Sequence, residues 1–253
     1  MILCELYQDE CKALEYKKDK IRAVHSIKRK DVLQFMRKKR KEIKGILVNP
    51  QKFFYRAIDR KFAEATKNIV DYEFPDIKDG IWEKFDDKKG KIHLVMVDSS
   101  EIEFAKEAIK SSKAQCEVLD LSIFNVVNFV IKFYEGIKNG VIINIAEDNV
   151  YSVFVKNKRP FWGNSYERSK FPDFTRKQIF YVFSIDSGVR DNFKIYLNVA
   201  SVDLAKEIGN VKENLGFDVV LIDPIGIAKN IKKYTEDIPS LYTGLIGLSL
   251  RIK

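Results

Sequence analysis

Apolar and polar positions over the first sixteen residues alternate in a pattern that predicts two strands and a turn. Ile2-Leu3-Cys4-Glu5-Leu6 is an apolar run of strand length, Gln8-Asp9-Glu10 is a polar turn, and alternation resumes through Cys11-Lys12-Ala13-Leu14-Glu15-Tyr16, so the segment predicts a hairpin. From Lys30 to Lys44, Val32, Leu33, Phe35, Met36 and Ile43 stand among Lys and Arg residues, the pattern of an amphipathic helix with one packed face. Ile46-Leu47-Val48 follows as a short buried strand. Phe54, Ile58, Phe62, Ala65 and Ile69 recur at intervals of three and four, which predicts a helix over 53–70 that ends before Phe74-Pro75.

The period then switches repeatedly. Ile92 to Val97 is a predicted strand and Ser100 to Ser111 a helix, with Glu101 and Glu103 placed to favour its start through the helix dipole. Cys116 to Leu119 is a strand, and Ser122 to Tyr134 a helix apolar on most faces and therefore buried. Gly136 and Gly140 bracket a break, beyond which Val141 to Ala146, a turn at Glu147-Asp148-Asn149 and Val150 to Val155 form a second hairpin. Subtracting 139 places this hairpin on the first: Cys4, Leu6, Cys11, Leu14 and Tyr16 fall on Ile143, Ile145, Val150, Val153 and Val155, Asp9 on Asp148, and Lys17 on Lys156. Equal turn length and matching flanking charge indicate an internal duplication. Helices over 176–187 and 202–215, strands over 195–199 and 219–222, and a Gly-containing apolar helix over 242–250 complete an α/β pattern.

A duplicated unit that opens on strand-turn-strand and closes with helices resembles the actin, sugar kinase and heat-shock-protein superfamily. Within it the chain resembles the PilM family of type IV pilus assembly and the related cytoplasmic domain of GspL in type II secretion. Leu3-Cys4-Glu5-Leu6-Tyr7 with Cys11-Lys12-Ala13-Leu14-Glu15 resembles the family's opening GIDIG and VKAVEL, and Ile143-Asn144-Ile145-Ala146 its second such motif. Phe74-Pro75, Glu117-Val118-Leu119-Asp120, Pro160-Phe161-Trp162 and the terminal Leu245-Ile246-Gly247-Leu248-Ser249-Leu250-Arg251 resemble further landmarks in the same order. The resemblance implies an actin-like (ribonuclease H-like) duplicated α/β fold. Its first half would cover 1–138, with an inserted subdomain at about 45–112, and its second half 139–253. That second half is reduced, because only a few residues separate Arg168 from Thr175 where the family carries a long insertion.

The same resemblance implies a non-catalytic scaffold at the inner face of the cytoplasmic membrane that binds the cytoplasmic tail of a bitopic, PilN-like membrane protein in a groove of the first half. It admits an assembly ATPase as a further partner. Phe53, Phe54 and Tyr55 are available to such a groove or to the core. In actin-like ATPases, glycines in the two hairpin turns let backbone N–H groups close on phosphates, and the acids before them hold a hydrated magnesium ion. Here Tyr7 and Ala146 stand for those glycines, and Glu5 and Asn144 for the acids. These four are vestigial nucleotide-site positions, and Asn198-Val199-Ala200-Ser201 replaces the family's Gly-Gly pair in the adenosine loop. The expectation is no cofactor and no catalytic residue; the alternative is an active ATP-binding actin-like protein that forms filaments.

Composition narrows the rest. Nothing resembles a run of 18 apolar residues or a secretory leader, since Glu5, Asp9 and Glu10 interrupt the amino terminus, and the reading is cytoplasmic. Cys4, Cys11 and Cys116 have no paired spacing and read as small core residues of a reducing compartment. His25 and His93 lie far apart without metal-ligand spacing, and Asp98-Ser99-Ser100-Glu101 reads as a helix cap rather than a nucleophile. The net charge of +9 admits contact with an anionic membrane surface through Lys28-Arg29-Lys30 or Arg37-Lys38-Lys39-Arg40. Nucleic acid is not expected, because Phe35 alone supplies an aromatic ring in the basic helix.

Overall fold

A computed structural model describes residues 1–18, 20–61, 80–86, 90–146, 148–199, 213–224 and 239–252. Strand β1 (Ile2–Leu6) returns through β2 (Glu10–Lys17) and β3 (Lys20–Lys28) as an antiparallel meander. Helix α1 (Val32–Lys39) crosses over to β4 (Ile43–Val48), which runs parallel to β1. Three strands follow, β5 (Phe53–Asp59), β6 (Gly80–Asp86) and β7 (Lys91–Asp98), then helix α2 (Ser100–Ser112), β8 (Val118–Leu121) and helix α3 (Ser122–Phe133). The first sheet has the order β3-β2-β1-β4-β8. Helix α1 packs on α2, and α3 packs on the terminal helix α5 (Thr243–Ser249). Every residue of β1 is buried, as two covered faces require, which explains why that strand is a nearly continuous apolar run.

The second meander repeats the first. Strands β9 (Asn139–Ile145), β10 (Asn149–Lys156) and β11 (Arg159–Glu167) lead through a 3₁₀ turn at Arg168–Lys170 to helix α4 (Asp173–Ile185), then to β12 (Phe193–Val199) and β13 (Val219–Leu221). The limits of β10 and β11 lie 139 positions after those of β2 and β3, and the turn at Arg168–Lys170 matches one at Arg29–Asp31 by the same offset. The register shift between Glu15 and Tyr16 recurs between Phe154 and Val155, and the left-handed Lys18 (φ 52°) recurs at Asn157 (φ 52°). Shared alternation is inexpensive to arrive at by chance; a bulge and a left-handed turn at the same offset are not.

Within the predicted insertion of about 45–112, β5, β6 and β7 belong to the second sheet, whereas β4 at its start belongs to the first. Strand β5 lies antiparallel to β11, with Arg56 opposite Trp162 and Phe54 opposite Asn164, and β7 and β6 follow. The result is one eight-stranded sheet, β13-β12-β9-β10-β11-β5-β7-β6. Its core against α4 is built from Val141, Ile143, Ile179, Val182, Phe183, Ile195 and Leu197.

Two sequence expectations need correction here. The helix over 53–70 starts instead as β5, whose Phe53 and Tyr55 are buried on one face; hydrogen-bonding edges offered by β7 and β11 on either side override the three-and-four spacing, and 62–70 lie outside the described residues. The basic helix over 30–44 is confined to Val32–Lys39, because Ile43 already pairs with β1. Most of the helix over 202–215 also lies outside the described residues, as do Ala200, Ser201 and Phe74-Pro75. Among the described residues no helix is long and apolar enough to cross a membrane.

Candidate functional site

Glu5 leaves the middle of β1 with its carboxylate in the packing between sheet and helices, 2% exposed. Its Oε1 accepts hydrogen bonds from Ser122 Oγ at 2.5 Å and Asn49 Nδ2 at 3.2 Å. Ser122 opens α3, and Asn49, just after β4, also donates to the Leu6 carbonyl at 3.1 Å. Gly244 of α5 completes the enclosure: a Cβ there would come within 2.8 Å of Ser122 Oγ and 3.3 Å of Glu5 Oε2. Burial pushes the Glu5 carboxyl up from its ordinary value, against the opposing pull of donors from Ser122, Asn49 and Tyr7 and of the Lys12 charge. A carboxyl held this way favours its neutral form. Within the described residues its Oε1 serves as a hydrogen-bond acceptor that ties β1 to α3 and to the end of β4.

Tyr7 and Ala146 sit in equivalent turns and face a common small cavity. The Tyr7 amide donates to the Glu10 carbonyl at 2.8 Å, and the Ala146 amide to the Asn149 carbonyl at 2.9 Å. Both amides therefore close their own hairpins. The Tyr7 ring is buried and carries the Lys12 ammonium 4.6 Å from its centroid. Tyr151 donates to the Pro50 carbonyl at 2.6 Å, joining the second hairpin to the end of β4. The space left between the turns, lined by Tyr7, Gln8, Asn49, Glu101, Ala146 and Tyr151, is about 20 Å³. That holds about one water, against roughly 300–1,000 Å³ for ordinary small-molecule sites. Asn144 lies beneath the second turn, buried, and accepts from Asn198 Nδ2 at 2.7 Å across β9 and β12.

A much larger groove, with a volume of about 690 Å³, opens between the β5-β7-β6 strands and the α2-β8-α3 segment. Tyr55, Ile81, Val95 and Val97 form one wall; Ile102 and Lys106 of α2, Leu119 and Leu121 of β8, and Phe124 and Val127 of α3 form the other. Phe124 packs edge-on against Phe53 at 5.6 Å and Tyr55 at 5.3 Å between ring centroids. The Tyr55 hydroxyl donates to the Pro160 carbonyl at 3.0 Å and meets His93 Nδ1 at 2.7 Å. A phenol has one proton and a carbonyl only accepts, so His93 Nδ1 carries the hydrogen in that contact. At one end Arg251 pairs with Asp120, which also accepts from Asn125 Nδ2 at 3.1 Å. The lining is apolar, with a few fixed polar groups at its edges.

Of the aromatic trio singled out by sequence, Tyr55 lines the groove and Phe53 packs in the core behind it. Phe124, Ile102 and Arg251 escaped sequence reasoning as groove residues, since nothing local marks which buried side chain borders a cleft. Asp120 enters the sequence reading only as the last residue of the Glu117-Val118-Leu119-Asp120 landmark. The basic runs divide: Arg29 is held by Glu101 at 2.8 and 3.2 Å, by the Tyr7 carbonyl at 2.7 Å and by the Phe104 ring, whereas Arg37, Lys38 and Arg40 are exposed. His25 lies 3.6 Å from Glu15 and packs tilted against Phe35, 5.5 Å between ring centroids, and among the described residues no cluster of three or more metal-ligating side chains occurs.

No family model and no curated protein matches the sequence. Solved structures do match the fold. The chain is similar to a PilM–PilN type IV pilus biogenesis complex, with 11% identity, a TM-score of 0.68 and coverage of 99% of this chain and 98% of that one. It is similar to a protein of actin-like ATPase fold from Bacteroides thetaiotaomicron (12% identity, TM-score 0.57, 88% and 90% covered). It is also similar to the ethanolamine utilization protein EutJ from Carboxydothermus hydrogenoformans (8% identity, TM-score 0.52, 98% and 88% covered). The chain has the actin-like ATPase fold.

Proposed function

We propose that this protein is a cytoplasmic scaffold of the inner-membrane assembly platform of a type IV pilus or a related type II secretion system, and that it works by holding the cytoplasmic tail of a bitopic membrane protein. One observation carries the reading: the space between the two hairpin turns is about 20 Å³, while a neighbouring apolar groove of about 690 Å³ is open. The small space between the two turns argues against a nucleotide there, and a groove with apolar walls and polar groups at its edges suits a peptide. The likeness to a PilM–PilN complex over nearly the whole chain supports the same partner type.

In this reading, apolar side chains of the tail enter between Phe124, Ile102 and Val95, and the polar ends of the groove fix its direction. The Asp120–Arg251 pair offers both an acceptor and a donor at one end, and Tyr55, pinned by Pro160 and His93, is a rigid wall. A wall that does not reorganise on binding lowers the entropy cost of ordering a flexible tail. The closed hairpin turns then serve as structure: they seat α3 and α5 against β1 and so set the width of the groove.

The test is a pair of isothermal titrations of the full chain. One uses MgATP; the other uses a synthetic peptide with the amino-terminal sequence of the bitopic membrane protein encoded beside it. Peptide heat without ATP heat is the expected result. ATP binding at micromolar affinity or tighter would overturn the reading of Tyr7, Asn144 and Ala146 and restore an active ATPase.

A further inference from the structure

We propose that the solvent face of α4 is a membrane-contact surface that docks on anionic lipid headgroups. Phe180, Tyr181 and Ile185 are 54%, 56% and 56% exposed, whereas large apolar side chains elsewhere among the described residues are, Leu221 apart, half-buried or buried. At 100° per residue, positions 176, 177, 180, 181, 184 and 185 form one continuous outer stripe. That stripe contains Arg176 and Lys177, then Phe180 and Tyr181, then Ser184 and Ile185; Asp173, exposed in the first turn, is the one acid on it. The inner stripe, Thr175, Gln178, Ile179, Val182 and Phe183, is buried on the sheet, so the outer residues do not belong to the core. Cations followed by aromatic and aliphatic side chains on one helix face form the pattern of an interfacial helix, whose ring and methyl groups enter the headgroup region while Lys and Arg meet phosphate.

The surroundings are net cationic. Arg168, Lys170, Arg190 and Lys194 flank the helix. Of the acids near it in sequence, Glu167 lies 3.4 Å from Lys170 and Asp186 is held by Lys156 at 2.5 Å, while Asp173 and Asp191 are exposed. Helix α1 supplies the contrast. It has the denser basic run, with Arg37, Lys38 and Arg40 exposed, yet none of its large apolar side chains is among the exposed ones. It can attract an anionic surface but has nothing to insert in it. The surface is separate from the peptide groove, so this inference stands whatever the groove binds.

The experiment is flotation of the full chain with vesicles of phosphatidylcholine alone and of phosphatidylcholine mixed with phosphatidylglycerol. The expected result is binding to the mixed vesicles only. Each Lys or Arg near such a surface contributes about fivefold in affinity, so R176Q/K177Q should bind about 25-fold more weakly, and F180S/Y181S about tenfold more weakly. R37Q/K38Q on α1 removes the same charge and should change binding by about twofold or less. F180W should report insertion directly, through quenching of its fluorescence by brominated acyl chains. All four variants alter exposed positions, so melting temperatures should stay within about 2 °C of the parent. Equal losses from the α1 and α4 charge pairs, no binding by the parent chain, or a lipid-free self-association abolished by F180S/Y181S would each overturn the proposal.

Discussion

Replacing Glu5 by Gln should make the protein less sensitive to rising pH and more stable at neutrality. In the native state the Glu5 carboxyl is raised by burial; in the unfolded chain it titrates near 4.5. Between those two values the native state keeps a proton that the unfolded chain has released. Stability therefore falls as pH rises through that window, by about 1.4 kcal/mol per unit, and levels off once the native carboxyl also ionises. Below about 4.5 both states are protonated and the loss is absent. Gln keeps the oxygen that accepts from Ser122 and Asn49 and removes the ionisation. The wild-type and E5Q chains should thus melt at similar temperatures near pH 4 and diverge above it, E5Q gaining about 2–4 °C for each kcal/mol in a chain of this size. Thermal or urea melts of both proteins at half-unit steps from pH 4 to pH 8 measure the difference. Parallel profiles across that range would show that Glu5 ionises normally inside the fold, and the account of the first turn as a neutral structural contact would fail.

Other consequences follow from the same packing. Gly247→Ala should lower stability by about 2 kcal/mol despite the better helix propensity of Ala, since its Cβ would lie 2.4 Å from the Asn125 backbone oxygen at the α3–α5 crossing; a urea midpoint shift measures it. Arg29→Ala should cost about 2 kcal/mol, because Glu101 is left largely buried without its partner and the Tyr7 turn loses a donor; Arg29→Lys should recover part of that loss. Ile102→Trp places an indole in the groove and should abolish the peptide heat while leaving the melting temperature within about 2 °C, which separates occupancy of the groove from folding.

The two halves differ in how their motifs became legible. Alternation in β1, β2, β9 and β10 is a property of consecutive residues, so the hairpins and their 139-residue offset could be read directly. So could Tyr7 and Ala146 as the turn residues that the resemblance sets against the family's glycines. The buried helix at Ser122–Phe133 and the apolar terminal helix were equally plain, because a helix apolar on most faces has few other destinations. The charge runs were visible too, but their meaning was not: Arg29 is consumed by Glu101, 72 positions later in the chain, while the exposed aromatic face of α4 drew no notice because periodicity alone marks which residues alternate, not which remain uncovered.

What the sequence determined by itself was therefore local: strand, turn and a hairpin repeated at an offset of 139 residues. What only the tertiary structure decided was every feature made by distant partners. Phe53–Asp59 became a strand because β7 and β11 stood on either side of it, and β11 lies more than a hundred positions away. Strands β5, β6 and β7 joined the sheet of β9–β13, and the groove exists because that sheet stands apart from α2 and α3. Side-chain period is written in neighbouring residues, whereas the edge a strand pairs with, and the gap left beside it, depend on which free edges the rest of the chain brings within hydrogen-bonding reach.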